Sequence, residues 1–327
     1  MDDRNLLIAL ADGPASGDVL ARAAGTTRAA IWKRIAGLRA AGVAISAQAG
    51  VGYALERPLD LLEAGAIREA LAPSAREELA GLEVAWSIDS TSSELLRRNT
   101  DLRGSQVLLA ERQTGGRGRR GRTWASPLAA HLYLSVARHF GGGLARLGGL
   151  SLVAGVAAAQ ALHALGHTGV RLKWPNDLVV VDGDGLRKLG GLLIEGGGEH
   201  GGPVRAVIGL GLNVHMPATF ARDIDQPWCD LDALGGTHAR NAVAAVVLSH
   251  LLPALAEFDR DGFEPFLARY AAFDALAGRA VSLHLHDGDM TAVAEGIAHD
   301  GALRVRLDDG VVRMLHSGEV SVRMRGA

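Results

Sequence analysis

Through the first 57 residues, apolar positions recur at helical spacing in short runs. They predict a helix near Arg4–Leu10, a second from a Ser16 cap to Ala24 that stops at Gly25, and a third that starts from Thr26 or Thr27 and stops at Gly42. On the third helix Ile31, Ile35 and Leu38 line one face, Lys33 points nearly opposite, and Arg28 and Trp32 lie on the flank. Val43–Ile45 and Tyr53–Leu55 read as short strands around Ala49-Gly50-Val51-Gly52. Three short helices and a hairpin form a winged helix-turn-helix pattern.

Arg57-Pro58 closes this unit, and a helical connector with Leu61, Leu62, Ile67 and Leu71 follows. From about 83 to 270, short β-like runs (Val107–Ala110, Leu132–Val136, Leu178–Val181, Leu192–Ile194, Val207–Leu212) mix with Ala-rich helices near 145–165, 240–258 and 263–270. The strands often follow one another with no helix between them. That predicts α+β with an antiparallel or mixed sheet rather than a βαβ series. From about 278, Asp287-Gly288, Asp300-Gly301 and Asp309-Gly310 separate alternating runs, which predicts a small five-strand barrel or sandwich. Three domains are expected, over 1–58, 59–275 and 276–327.

Composition narrows the class. The 327 residues are 48 % apolar, with a formal charge of 34 − 36 = −2, which excludes a mainly disordered chain. One cysteine, Cys229, excludes an intrachain disulfide and a Cys-rich zinc site and fits a reducing compartment. The start, Met-Asp-Asp-Arg, lacks a basic and then apolar leader, so a cytoplasmic location is expected. The uncharged stretch from Leu147 to Val170 is long enough to span a bilayer, yet it is rich in Ala and Gly and carries Gln160, His163 and His167 on one helical face. It is read as a buried helix, with no membrane partner. Residues 1–57 hold seven basic and five acidic side chains, a surplus of +2 that leaves −4 on the rest. The third helix carries Arg28, Lys33, Arg34 and Arg39 and no acid, which points this unit at DNA.

The chemistry-bearing segments lie in the middle. Residues 115–122 hold four Gly and four Arg, followed by Thr123 and Trp124. Glycines let backbone N–H groups approach an anion, and arginines add forked donors for carboxylate or phosphate. The loop has no Gly-Lys-Ser/Thr ending, so it is not a P-loop, and it is expected to lack fixed structure until an anion arrives. Trp174-Pro-Asn-Asp177 reads as a tight turn presenting Asn176 and Asp177. Lys188, one of only three lysines beside Lys33 and Lys173, precedes a glycine pair that opens an apolar strand. A lysine kept against that arginine bias suggests a site for a compact ammonium. Ile208-Gly-Leu-Gly-Leu-Asn213 is a strand with close backbone approach that ends in Asn213. Asp89-Ser-Thr-Ser-Ser-Glu94 fits a capping box from Thr91 to Glu94. Ser-His-Asp and His-Glu-x-x-His arrangements are absent. The set suits aligning a carboxylate against a nucleotide phosphate by positioning and electrostatics.

These segments resemble the bacterial bifunctional biotin protein ligases that also repress the biotin operon. The resemblance rests on Asp89-Ser-Thr, Gly116-Arg-Gly-Arg-Arg-Gly-Arg122 with Trp124, Lys173-Trp-Pro-Asn-Asp177, Lys188-Leu-Gly-Gly191 and Gly209-Leu-Gly-Leu-Asn213, in matching order and spacing. It implies an α+β chain: an N-terminal winged helix-turn-helix, a central mixed-sheet domain like class II aminoacyl-tRNA synthetases, and an SH3-like C-terminal β-barrel. It implies biotin and ATP with Mg²⁺ as reactants, biotinoyl-5′-adenylate as intermediate, and a lysine of a biotin carboxyl carrier protein of acetyl-CoA carboxylase as acceptor. Operator DNA and a homodimer formed on ligand binding are the further implied partners.

Carried over by motif, Ser90, Thr91, Ser92, Gln113, Arg117, Gly118, Arg119 and Lys188 would meet biotin. Arg119, Arg122, Trp124, Asn176, Lys188 and Asn213 would meet ATP or the adenylate, and Lys188, Arg119 and Asp177 would carry the chemistry. On the third helix Thr27, Arg28, Ala29, Trp32, Lys33 and Arg34 would meet DNA. The chain departs from the family pattern at Ser92, where Asn or Gln is common, in the long segment 182–187, and at Val51 in the wing, where a lysine often stands. A sensing transcription factor without ligase activity, a lipoate-type ligase and an Arg-Gly nucleic-acid binder are the competing readings.

Overall fold

The computed structural model describes residues 2–99, 103–143, 147–198, 203–236, 238–285, 288–316 and 321–324. The N-terminal unit contains α1 (Asp3–Ala11), α2 (Gly17–Ala23), α3 (Arg28–Ala40) and the antiparallel pair β1 (Ile45–Gln48) and β2 (Gly52–Leu55). Side-chain caps start each helix: Asp2, Ser16 and Thr27 accept from the N–H groups of Asn5, Val19 and Ala30. Gly25 takes φ 59°, the left-handed stop its position predicts, and the Thr26 N–H closes back on Ala21 O at 2.9 Å. Ile31, Ile35 and Leu38 are buried with Leu6, Leu7, Leu10 and Leu20 in a separate core. That core takes in a residue from far along the chain, because Leu128 is buried in it and its N–H donates to Ala41 O at 2.8 Å.

The central domain is one seven-stranded sheet. Its elements are α4 (Ala64–Ala70), α5 (Pro73–Glu77), β3 (Leu79–Ala85), α6 (Thr91–Arg97), β4 (Ser105–Ala110), β5 (Leu132–Phe140), α7 (Leu150–Ala164), β6 (Val170–Lys173), β7 (Asp177–Asp182), β8 (Gly185–Gly198), β9 (Val204–Leu212), α8 (Ala218–Ala221), α9 (Arg240–Asp261) and α10 (Leu267–Phe273). The strand order is β3-β4-β5-β9-β8-β7-β6; β3 and β4 run parallel and every other pair antiparallel. The mixed sheet read from the sequence is therefore present. The helix expected from 145 begins at Leu150, after Gly149 at φ 81°. The α7 helix is buried nearly all round, as the uncharged run required. By length and composition α9 would also cross a bilayer; here its apolar side packs against α7 and the sheet.

The C-terminal domain is a five-stranded antiparallel sheet: β10 (Ala280–Leu285), β11 (Gly288–Ile297), β12 (Leu303–Leu307), β13 (Val312–Leu315) and β14 (Ser321–Met324), in order β13-β12-β11-β10-β14. Two of its Asp-Gly turns behave as read. Asp300 and Asp309 accept from the N–H two residues on, and Gly301 and Gly310 take φ 81° and 84°. Residue 287 of the third turn lies outside the described residues. Trp174 Nε1 donates to Gly301 O at 3.0 Å, which docks this sheet on the central domain, and the two share one apolar core.

Candidate active site

The site is built on the glycine-bearing stretch where β8 lies between β7 and β9. Asp177 stands opposite Gly191 and Leu178 opposite Gly190, but Val179 stands opposite Lys188, so Leu189 is an extra residue on β8. Side chains alternate faces along a strand, and one inserted residue reverses that alternation. The bulge therefore turns Lys188 onto the face shared by Asp177 and Gly191. There Lys188 Nζ sits 2.7 Å from Asp177 Oδ1, with each side chain about one-fifth exposed (19 % and 21 %). A Cβ at Gly191 would lie 3.3 Å from Nζ and press on the ammonium.

Trp124 lies across the same floor. A Cβ at Gly211 would come 2.5 Å from its ring, and one at Gly191 would come 3.5 Å from it. Lys188 Nζ is 5.6 Å from the ring centroid, a cation–π distance. The Trp124 Nε1–H is buried without a hydrogen-bond acceptor. Gly211→Ala is expected to push this ring off the floor and cost about 1–3 kcal/mol by overpacking. A urea titration would measure it, and an unchanged unfolding midpoint would show that the ring accommodates the methyl group.

The Arg/Gly loop is folded back on itself, against the expectation that it lacks fixed structure. Gly118 N–H donates to Arg122 O at 2.7 Å and Trp124 N–H to Gly116 O at 2.9 Å, and Arg117 bridges Thr123. Arg120 at φ 56° and Gly121 at φ 72° make its tip. The loop aims two arginines at the sheet. Arg119 Nη1 donates to Asn176 Oδ1 at 3.1 Å, while Asn176 Nδ2 donates to Leu192 O at 2.7 Å. Burial, followed by the neighbouring Arg120 charge, lowers the pKa of Arg119; Asp177 opposes this. Arg117 Nη2 donates to Ser93 Oγ at 2.9 Å and to Glu195 Oε1 at 3.1 Å. Arg122 is exposed.

Hydroxyls close the other side. The N-cap of α6 is Ser90, whose Oγ accepts from Ser93 N–H; it is not Thr91. Glu94 does not reach back, because Arg97 and Arg98 hold its carboxylate, so the expected capping box is absent. That frees Thr91 for the site: its N–H donates to Gln113 Oε1 at 2.9 Å and its Oγ1 lies 2.7 Å from Ser135 Oγ. Ser92 Oγ is 2.9 Å from the same Ser135 oxygen, and a Cβ at Gly209 would meet it at 2.6 Å. Asp89 is pulled down to about 2, first by hydrogen bonds from Arg97 and then by the Ser90 N–H.

Asn213 is buried beneath a strap. Its Nδ2 donates to Cys229 O at 3.0 Å and its carbonyl accepts from Leu231 N–H at 3.1 Å. The strap also pairs with Lys188, whose N–H donates to Pro227 O and whose carbonyl accepts from Cys229 N–H. Of the sequence-predicted residues, Thr91, Ser92, Gln113, Arg117, Arg119, Trp124, Asn176, Asp177 and Lys188 make the contacts above, whereas Ser90 caps α6, Arg122 is exposed, Asn213 is held by the strap, and the α3 set lies in the N-terminal unit. Ser135, Ser93, Glu195 and the 227–231 strap were not anticipated. A lone serine inside the apolar run 132–136 was the available signal for Ser135.

Comparison with known proteins agrees with this geometry. Residues 84–213 match the Biotin/lipoate A/B protein ligase family, 277–323 the Biotin protein ligase C terminal domain, and 4–54 an HTH domain. The bifunctional ligase/repressor BirA of Salmonella typhimurium is 40 % identical over 97 % of this chain and 96 % of its own length. The Escherichia coli protein of the same name is 39 % identical over the same shares. Among solved structures, the biotin protein ligase from Aquifex aeolicus in complex with biotin and ATP aligns with a TM-score of 0.62 at 26 % identity, covering 76 % of this chain and 100 % of that one. Site, fold and sequence agree, and the chain belongs to the biotin protein ligase family, in the bifunctional form that joins the ligase to an N-terminal helix-turn-helix domain.

Proposed function

We infer that this chain is an ATP-dependent biotin protein ligase of the cytoplasm that also represses transcription in response to biotin. The observation that carries the ligase reading is the Lys188–Asp177 pair on a glycine floor, flanked by the Trp124 ring and the Arg119–Asn176 contact. In the first step a biotin carboxylate oxygen attacks the α-phosphorus of ATP and pyrophosphate leaves with the bridging oxygen. Lys188 stands where the ammonium faces both oxyanions, and Arg119 adds a second cation there. In the second step the amine of a carrier-protein lysine attacks the acyl carbon and AMP leaves with its oxygen. Asp177, released from Lys188 by the incoming anions, takes the proton from that amine. Thr91, Ser92, Gln113 and Ser135 offer donors and acceptors to the biotin head, and Trp124 offers a face to adenine. Ser90 and Gly118 shape the walls, with Arg117 over the biotin side and Arg122 toward the phosphates.

Among the described residues no group of three His, Cys, Asp or Glu side chains forms a metal cage. A Mg²⁺ arriving with ATP would find an oxygen donor in Asn176 and would neutralise phosphate charge there.

The repressor reading rests on α3. Arg28 and Trp32 are exposed on it, and the ion pair of Arg28 with Asp18 is a loose one, at 3.8 Å. Exposed pairs of that kind exchange readily for phosphates. The Thr27 hydroxyl caps the helix; with its N-terminal part in a major groove, Thr27, Arg28 and Ala29 would face base edges and Lys33 or Arg34 the phosphates. With so few cations one unit binds weakly, so two units on a ligand-induced dimer are required. Anisotropy titration on the organism's biotin-gene promoter is expected to show sequence-specific, salt-sensitive binding, tightened by biotin with ATP. A chain beginning at residue 59 loses it and keeps adenylation. Equal binding to any sequence, indifferent to ligand, would leave the ligase half alone.

A further inference from the structure

Alongside Lys188 the sheet is interrupted. The β8–β9 ladder runs to Gly190 opposite Leu212, and before it on β8 the backbone of Lys188 pairs instead with the strap, in a parallel bridge to Trp228. Lys188 N–H donates to Pro227 O at 3.0 Å, and Cys229 N–H donates to Lys188 O at 2.9 Å. Leu189, the extra residue of the bulge, accepts on its carbonyl from Asn213 N–H at 2.9 Å. Asn213 holds the strap as well. Its Nδ2 donates to Cys229 O at 3.0 Å, and its own carbonyl accepts from Leu231 N–H at 3.1 Å. Cys229 thus links the Asn213 side-chain amide to the Lys188 carbonyl in two hydrogen bonds. Asp230 closes the strap behind it, its carboxylate accepting from Met216 N–H at 2.7 Å and Ala233 N–H at 2.9 Å. Asn213 is 5 % exposed and Asp230 6 %, so water does not readily replace either partner.

We propose that Asn213 is a positioning residue for Lys188, acting through Cys229 and the strap, in place of the ATP contact that the family resemblance implies. Without the Asn213 amide the Cys229 carbonyl loses its partner and the strap loosens. The bulge that turns Lys188 toward Asp177 then loses its support on one edge. A reacting group displaced by about 1 Å can cost about 10²-fold in rate. That kinetic consequence rests on the ligase reading, whereas the placement of Lys188 Nζ can be measured without it.

The chain has only three lysines, so trace labelling with acetic anhydride, read by mass spectrometry, reports Lys188 against Lys33 and Lys173. In the full chain Asn213→Ala is expected to raise the relative labelling of Lys188 about threefold or more, as the ammonium leaves Asp177. In biotin-dependent pyrophosphate exchange it is expected to lower kcat about 10- to 100-fold while ATP KM stays within about twofold. Added to Lys188→Ala, the same change should alter the remaining rate by less than about twofold, because the group it positions is gone. Asp230→Asn loosens the strap without touching Asn213 and is expected to act in the same direction, more weakly. It decides the matter if thermal melts show that Asn213→Ala does not fold. Absence of exchange in the unaltered chain would sink the ligase reading, and the labelling alone then decides. A raised ATP KM at unchanged kcat, an equal loss of rate with and without Lys188, or unaltered Lys188 labelling in both strap variants would overturn the proposal.

Discussion

Lys188→Ala is expected to slow biotin-dependent pyrophosphate exchange by about 10²–10³-fold, the usual loss for one preorganised donor to a developing oxyanion. Lys188→Arg is expected to be nearly as slow. The pocket explains why. Nζ is already 2.7 Å from Asp177 and lies against the Gly191 backbone and the Trp124 ring. A guanidinium is wider, planar and longer, and would have to displace the ring or the carboxylate. Biotin KM should change less than kcat, because the contact strengthens as charge develops. Near-normal turnover by the arginine variant would show that a point ammonium is not required.

Arg240→Met is expected to cost about 3–5 kcal/mol, as for other buried pairs that lose one partner. Arg240 is 2 % exposed and ties the segment at Asp60 to the central domain: its N–H and guanidinium bind Asp60, Nη1 donates to His131 O at 3.1 Å, and Nη2 meets Glu111 Oε2. Glu111 in turn accepts the Leu62 N–H at 2.6 Å. Burial raises the Glu111 pKa and Arg240 opposes this, so removing Arg240 leaves a carboxylate that resists ionisation. The folded-state pKa then rises further, and the stability deficit should shrink as pH falls from about 8 to about 5. Urea unfolding at the two pH values measures it. A loss under about 1 kcal/mol would mean the pair is dispensable.

The motifs were legible because catalysis by positioning leaves its residues clustered in sequence. The Arg/Gly loop, the Trp-Pro-Asn-Asp turn and Lys188 all reach one face. The β8 strand was not legible at its full length. Gly185, Gly190, Gly191, Gly196 and Gly197 dilute its β signal, so only Leu192–Ile194 stood out within Gly185–Gly198. The bulge at Leu189 was equally hidden, since it depends on register with β7 and not on local composition. The Thr91 capping box failed by one residue, because Ser90 competes for the same cap. The packing of Leu128 into the N-terminal core is a contact between the two units, and no periodicity within either unit encodes it.

The most direct test of the central claim is ATP–pyrophosphate exchange by the purified chain with biotin, against lipoate and octanoate as controls. Exchange is expected with biotin alone, dependent on Mg²⁺ and lost in Lys188→Ala. Exchange driven by lipoate and not by biotin, or none with any acid, would contradict it.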